Sequence, residues 1–144
     1  MSLVDRTLKL CNCNKTMSLD ARGLATALDL PSPPQVHNQL CRSEVGSFQA
    51  ALADDECLVA CTQEAALFSE LAEQSESRAV IRFVNIRETA GWSKEGGAAT
   101  PKIAALLAAA AMPAPEPVPG VSYSSAGQVL VVGPTGAAVE WAER

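Results

Sequence analysis

"CLVACTQEAALFSELAEQ", residues 57–74, changes its period halfway along. The first five residues form an apolar run of strand length. From Thr62 onward the apolar positions Leu67, Phe68 and Leu71 fall on one face of a helix. Thr62 is placed to cap that helix. A buried strand running into an amphipathic helix is half of a crossover unit, and crossover units build parallel sheets.

The same rhythm recurs on both sides. "TLKLC" (7–11) leads through "NCNKTMS" into a helix near Asp20–Leu28, with Leu24 and Leu28 one turn apart. "VHNQLC" (36–41) leads into "SEVGSFQAAL" (43–52), with Ser43 as cap and Val45, Phe48 and Leu52 on one face. "AVIRFVNI" (79–86) is the most strand-like segment, and a glycine-containing loop separates it from "TPKIAALLAAAAM" (100–112). There Thr100 is the expected cap, Pro101 takes the first helical position, and Ile103, Leu106, Leu107 and Ala110 form the buried stripe. This alternation predicts an α/β three-layer sandwich on a mainly parallel four-stranded sheet, in the order 2-1-3-4.

The alternation stops at "MPAPEPVPG" (112–120), where the prolines forbid a helix and favour a stiff extended chain. "QVLVVGPTGAAVEWAER" (128–144) then reads as a strand, a glycine turn and two turns of helix. The expected organisation is an α/β domain over 1–111, a Pro-rich linker over 112–127 and the truncated start of a Rossmann-like domain over 128–144. The chain thus reads as a fragment of a longer polypeptide.

Composition narrows the function classes. With 144 residues, 48% of them hydrophobic, the chain can bury one ordinary core. The net charge of -5 comes without a Lys/Arg cluster, which argues against nucleic acid and anionic membrane surfaces as partners. No apolar stretch reaches the length of a membrane span, and "MSLVDR" lacks the pattern of a secretory leader. A cytoplasmic location is expected, where the five cysteines stay reduced and serve as ligands or reactive groups.

Four of those cysteines follow strand ends. Cys11 and Cys13 close the first strand, Cys41 the second and Cys61 the third, so a parallel sheet brings them to one edge, where such folds bind ligands. On extended backbone Cys11 and Cys13 would face the same way, with alpha carbons about 6.7 Å apart. That separation is at the stretched limit for a disulfide and suits two thiolates on different corners of a polynuclear centre. Helix starts after Cys41 and Cys61 should favour their thiolates. Cys57 begins the third strand and belongs to the opposite edge, as a small core residue. Four cysteines suit a [4Fe-4S] cluster. Zinc remains open, although only one close pair exists and paired knuckles are the rule in structural zinc sites.

Together with "VNIRETAGWSKEGGAATPKIAAL" (84–106), this pattern resembles the N-terminal domain of the flavin-binding component of heterodisulfide reductase, a domain shared by related multidomain 4Fe-4S ferredoxin-type proteins. The parallels run in order over residues 8–110: the Cys-x-Cys, a cysteine after strand two, Ala60-Cys61, "NIRE" at 85–88, Trp92-Ser93 and Ala99-Thr100 before an apolar helix. The resemblance implies an electron-transferring oxidoreductase whose iron-sulfur domain precedes a flavin-binding Rossmann-like domain and ferredoxin modules. It carries over Cys11, Cys13, Cys41 and Cys61 as ligands, and redox proteins as partners besides the chain's own further domains. Asn14 stands where the family often has glycine, and Thr62, Gln63 and Glu64 stand in place of Ser-Pro-Arg. Asn14 and Arg87 are the expected neighbours of the cluster. FAD in the missing part is opposed by Gly133, Thr135 and Ala138, where a dinucleotide fingerprint has three glycines.

The remaining candidates are weaker. His37 is expected to be a plain strand or surface residue at the edge away from the cysteines, Glu88 a surface partner of Arg87, and Trp92 a packing residue. No nucleophile–base constellation is present, so no catalysis is expected of the domain alone. Two rival functions stay in view: a docking domain, metal-free or zinc-bound, and a thiol–disulfide redox domain using the Cys-x-Cys pair.

Overall fold

In the computed structural model, which describes residue 3, residues 6–113 and residues 117–143, β1 (Thr7–Cys11) is the strand on which the sheet is assembled. It pairs in parallel with β2 (Val36–His37) on one side and β3 (Glu56–Val59) on the other, and β3 pairs in parallel with β4 (Val80–Phe83). The order is β2-β1-β3-β4, as the alternation of strands and helices predicts. In register, Cys11 lies opposite His37, Leu8 opposite Leu58, and Leu58 opposite Arg82.

Side-chain alternation divides the core between the two faces of this sheet. Leu10 and Leu58 point to one face, where they meet Leu24 of α1 (Ala21–Ala27) and Ile103 and Leu107 of α4 (Thr100–Ala111). Cys11, Cys57 and Val59 point to the other, against Phe48 of α2 (Val45–Ala51) and Phe68 of α3 (Ala65–Gln74). The Phe48 and Phe68 rings meet at 4.6 Å between centroids, and Phe68 lies 6.4 Å from Phe83. Helices on both faces of a parallel sheet make the expected three-layer sandwich.

Helix ends follow local chemistry with several departures from expectation. Asp20 caps α1, accepting from the amides of Arg22 and Gly23 at 3.1 and 3.0 Å. Ser43 does not cap α2, because its hydroxyl donates to the Gln39 side chain at 3.2 Å and Glu44 takes the cap position. Thr62 lies in a turn before α3, where Glu64 holds the cap position, and only its backbone carbonyl accepts from Ala65. Thr100 is already inside α4, following Ala99. Along α4, Ala104 and Ala111 are buried with Ile103 and Leu107, while Leu106 and Ala110 are only half-buried. At the amino edge of the sheet, buried Arg6 bonds both the Glu56 carboxylate and the Ala111 carbonyl, and Arg82 donates to the Met112 carbonyl at 2.7 Å. Two cations thus satisfy the carbonyls that end α4.

Between β4 and α4 the chain makes a π-helical turn over Arg87–Gly91 and a 3-10 turn over Gly96–Ala98. A side chain at Gly96 would collide with the Gly91 carbonyl, so the two turns pack backbone on backbone.

The second compact unit is Pro115–Arg144, the first being Met1–Ala114. It contains α5 (Thr135–Ala142), and Pro134 at its cap position brings no amide. The strand expected at 128–132 does not form: Val129 and Leu130 are 82% and 87% exposed, on backbone without regular structure. A strand needs a neighbour for its amides and carbonyls, and within this unit none of the described residues provides one. Of the expected linker, residues 114–116 lie outside the described residues. No described helix is long and apolar enough to cross a membrane.

Replacing Phe68 with alanine removes the ring that joins α3, α2 and β4, with little room for the site to collapse between two other rings. The Phe68→Ala protein should lose about 3–5 kcal/mol in a denaturant titration.

Candidate functional site

Parallel strands place all four of their following loops at one edge of the sheet, and between those loops lies a cavity of about 430 Å³. Cys11, Cys13, Cys41 and Cys61 all line it, as do Asn14 and Arg87. Cys57 does not; it lies in the core with 1% exposure. The four cysteines selected from the sequence are brought together and the fifth is kept apart.

Their backbone settings differ from expectation in two ways. Only Cys11 belongs to a strand: Cys13 follows β1, Cys61 lies two residues beyond β3, and Cys41 lies four beyond β2, whose pairing ends at His37. Cys13 is not extended. With Asn14 and Lys15 it forms a left-handed stretch at φ 52°, 58° and 62°, so the same-face argument for Cys11 and Cys13 does not hold. The chain instead curls until the Cys13 amide donates to the Cys11 sulfur at 3.4 Å. Such backbone costs about 1–2 kcal/mol per residue for most side chains and less for asparagine, which explains why Asn14 can stand in a position suited to glycine. Polar contacts hold the turn: Asn14 N–H donates to the Asn38 carbonyl at 2.6 Å, Lys15 N–H to Asn12 Oδ1 at 2.8 Å, and the Thr16 hydroxyl to the Cys13 carbonyl at 2.7 Å.

The charges around the sulfurs are mixed. Arg87, at the start of the π-helical turn, donates to Cys13 Sγ at 3.3 Å and to Gln63 Oε1 at 3.2 Å, and it stacks over Trp92 with 4.3 Å to the ring centroid. It also grips the Glu88 carboxylate, so Glu88 is tied to the site through Arg87 and its own acidity is strengthened by that bond. Trp92 is half-exposed and donates from Nε1 to the Thr16 hydroxyl at 3.0 Å, which makes it a bracket between the π-helical turn and the cysteine loop, not a core residue.

Burial pushes the Cys61 thiol up, against the amides of Glu64 and Gln63 and the charge of Arg87, which draw it down. Cys41 is also pushed up, first by burial and then by the Glu64 carboxylate. The expected preference for thiolate at these helix starts is therefore outweighed when the sulfurs stand alone. A cation bound to the sulfurs would reverse the balance.

His37 departs most from its expected place. It lies at the carboxyl end of β2 level with Cys11, buried at 1% exposure, with Nδ1 3.1 Å from Glu44 Oε1 and Nε2 3.3 Å from the Ser47 hydroxyl. Its orientation gives it to Glu44 and Ser47, and it is absent from the cavity wall. Sequence reasoning passed over Asn38 and Gln39 in that wall; they are ordinary amides in a loop, and no spacing distinguishes them.

Four cysteines line one space, and N–H donors from Cys13, Gln63, Glu64 and Arg87 serve the sulfurs of three of them. Among the described residues no group of three or more His, Cys, Asp and Glu that could hold a metal ion is found. Compared with models of known protein families, with curated proteins and with solved structures, the chain matches none.

Cys57 yields a pH prediction. Desolvation raises its thiol to about 11, so as pH climbs past the ordinary value of 9.0 the unfolded chain ionises first and folding weakens. The contribution is fully present below pH 9.0 and is lost up to about 11. Denaturant titrations at pH 8 and pH 11 should show Cys57→Ala losing about 2 kcal/mol less than wild type over that interval.

Proposed function

We propose that the chain is an iron-sulfur electron-transfer module of a larger oxidoreductase, holding one [4Fe-4S] cluster through Cys11, Cys13, Cys41 and Cys61. The observation that carries this reading is the convergence of four cysteines, far apart in sequence, on one cavity wall with hydrogen-bond donors behind them. A cluster presents its iron atoms at separate corners, so its ligands surround a volume where those of a single ion must meet at a point. Bound there, the cluster would supply one-electron chemistry, and the protein would supply ligands, burial and charge. The resemblance to the flavin-binding component of heterodisulfide reductase points to the same four residues and to flavin and ferredoxin domains as partners. The domain relays electrons and catalyses nothing alone.

Each neighbour of the cavity has a part in this scheme. Arg87 sets a positive charge beside Cys13, which favours the more negative, reduced state. Asn14 permits the left-handed turn that aims Cys13 inward. Trp92 and Thr16 hold that turn and the Arg87 segment together.

Anaerobic reconstitution with iron and sulfide tests the proposal. About four irons and four sulfides per chain are expected, with a broad visible absorption that bleaches on reduction. Serine at Cys11, Cys13, Cys41 or Cys61 should abolish retention and serine at Cys57 should spare it. Zinc taken up in place of iron would sink the reading in favour of a docking domain, and a reversible intramolecular disulfide without metal would sink it in favour of a thiol redox domain. In the loaded protein, Arg87→Gln should lower the reduction potential by up to about 60 mV, the one-electron equivalent of a charge-assisted bond of about 1.4 kcal/mol.

A further inference from the structure

The loop that carries Cys41 has no secondary structure to support it, yet its polar groups are highly organised. Glu44 is the reason. Its Oε2 accepts from two consecutive amides, Asn38 N–H and Gln39 N–H, both at 2.7 Å, and its Oε1 faces His37 Nδ1 at 3.1 Å. The Gln39 amide leads the interactions that hold the Glu44 carboxyl below the usual range. A ring of chain from His37 to Glu44 is thereby closed around Cys41. The far side of the ring is anchored as well: His37 Nε2 lies 3.3 Å from the Ser47 hydroxyl, which accepts from Lys9 Nζ at 3.0 Å.

One peptide plane extends this control to the other cysteine loop. The Gln39 N–H and the Asn38 carbonyl belong to the same planar unit, so fixing one end fixes the other. The Asn38 carbonyl accepts from Asn14 N–H at 2.6 Å and from the Cys11 thiol at 3.3 Å. The Asn14 contact pins the left-handed turn that carries Cys13.

We propose that Glu44 is the positioning residue of the metal site: its carboxylate closes the Cys41 loop and, through the Asn38–Gln39 peptide plane, locks the Cys13 turn against it. Glu44 touches no ligand sulfur itself. It acts on sequence-distant ligands because hydrogen bonds from successive amides to a carboxylate are short, charge-assisted and directional. The proposal rests on the iron-sulfur reading for its purpose, whereas the clamp itself is a property of the metal-free chain.

Two measurements on Glu44→Ala and Glu44→Asp test it. In metal-free protein, site-resolved alkylation by iodoacetamide at pH 8 should accelerate several-fold at Cys41 in Glu44→Ala while Cys61, held by a different loop, keeps its wild-type rate. Glu44→Asp should fall between. Equal acceleration at both cysteines would signify general loosening and overturn the proposal, as would no change at either. In reconstituted protein, loss of the cluster to a chelator should be roughly tenfold faster in Glu44→Ala, and an unchanged rate overturns the proposal. If wild type accepts no cluster, the iron-sulfur reading fails by itself, and the alkylation pattern still decides the clamp. Should Glu44→Ala fail to fold, the graded response of Glu44→Asp is read against wild type.

Discussion

Parallel pairing of β1 with a strand on each side is the constraint from which the rest follows. A parallel neighbour can be reached only by a crossover, so every strand is followed by a loop at the same edge and a helix along a face. The helices cover both faces because the sheet buries apolar residues on both, Leu10 and Leu58 on one and Cys11, Cys57 and Val59 on the other, and they sort into α1 with α4 and α2 with α3. The edge where the loops gather is left concave. A site assembled from distant residues is thus a direct product of sheet topology, and the opposite edge is closed by Arg6 and Arg82 on the end of α4.

At the carboxyl edge the loops are held by polar bonds where apolar burial is scarce. A carboxylate on two amides, a left-handed turn pinned to a neighbouring carbonyl and an arginine stacked on a tryptophan each replace regular structure with directed bonds. These loops are consequently exact in shape and sensitive to single substitutions. The electrostatic arrangement is less uniform. Arg87 and the amides near Cys61 favour negative sulfur, and Glu64 opposes it at Cys41. In the proposed electron-transfer role this opposition would destabilise the reduced state, so the potential would reflect a contest between Arg87 and Glu64.

Sequence periodicity located the four strands and four α-helices of the first unit but not the two tight turns between β4 and α4. The apolar stripes of residues 45–52 and 65–74 become α2 and α3, and Phe48 and Phe68 are their most buried side chains. The strand-like segments at 7–11, 57–61 and 79–86 become β1, β3 and β4. "VHNQLC" became a two-residue strand and a loop, because the Asn38 and Gln39 amides bond to Glu44 and not to a neighbouring strand. "QVLVV" found no strand at all. In both cases the local pattern was permissive for a strand, and only the presence or absence of a pairing partner settled the outcome.

The amino-acid order by itself determined the alternation of strand and helix, the parallel sense of the sheet and the separation of four cysteines from Cys57, because periods and positions relative to strand ends are local properties that survive in a linear string. The tertiary structure alone decided that Cys13 sits on left-handed backbone, that His37 is a buried partner of Glu44 level with Cys11, and that Arg87 reaches the Cys13 sulfur. The His37 and Arg87 contacts join residues 7 and 74 positions apart, and their geometry exists only once the sheet has drawn the loops together.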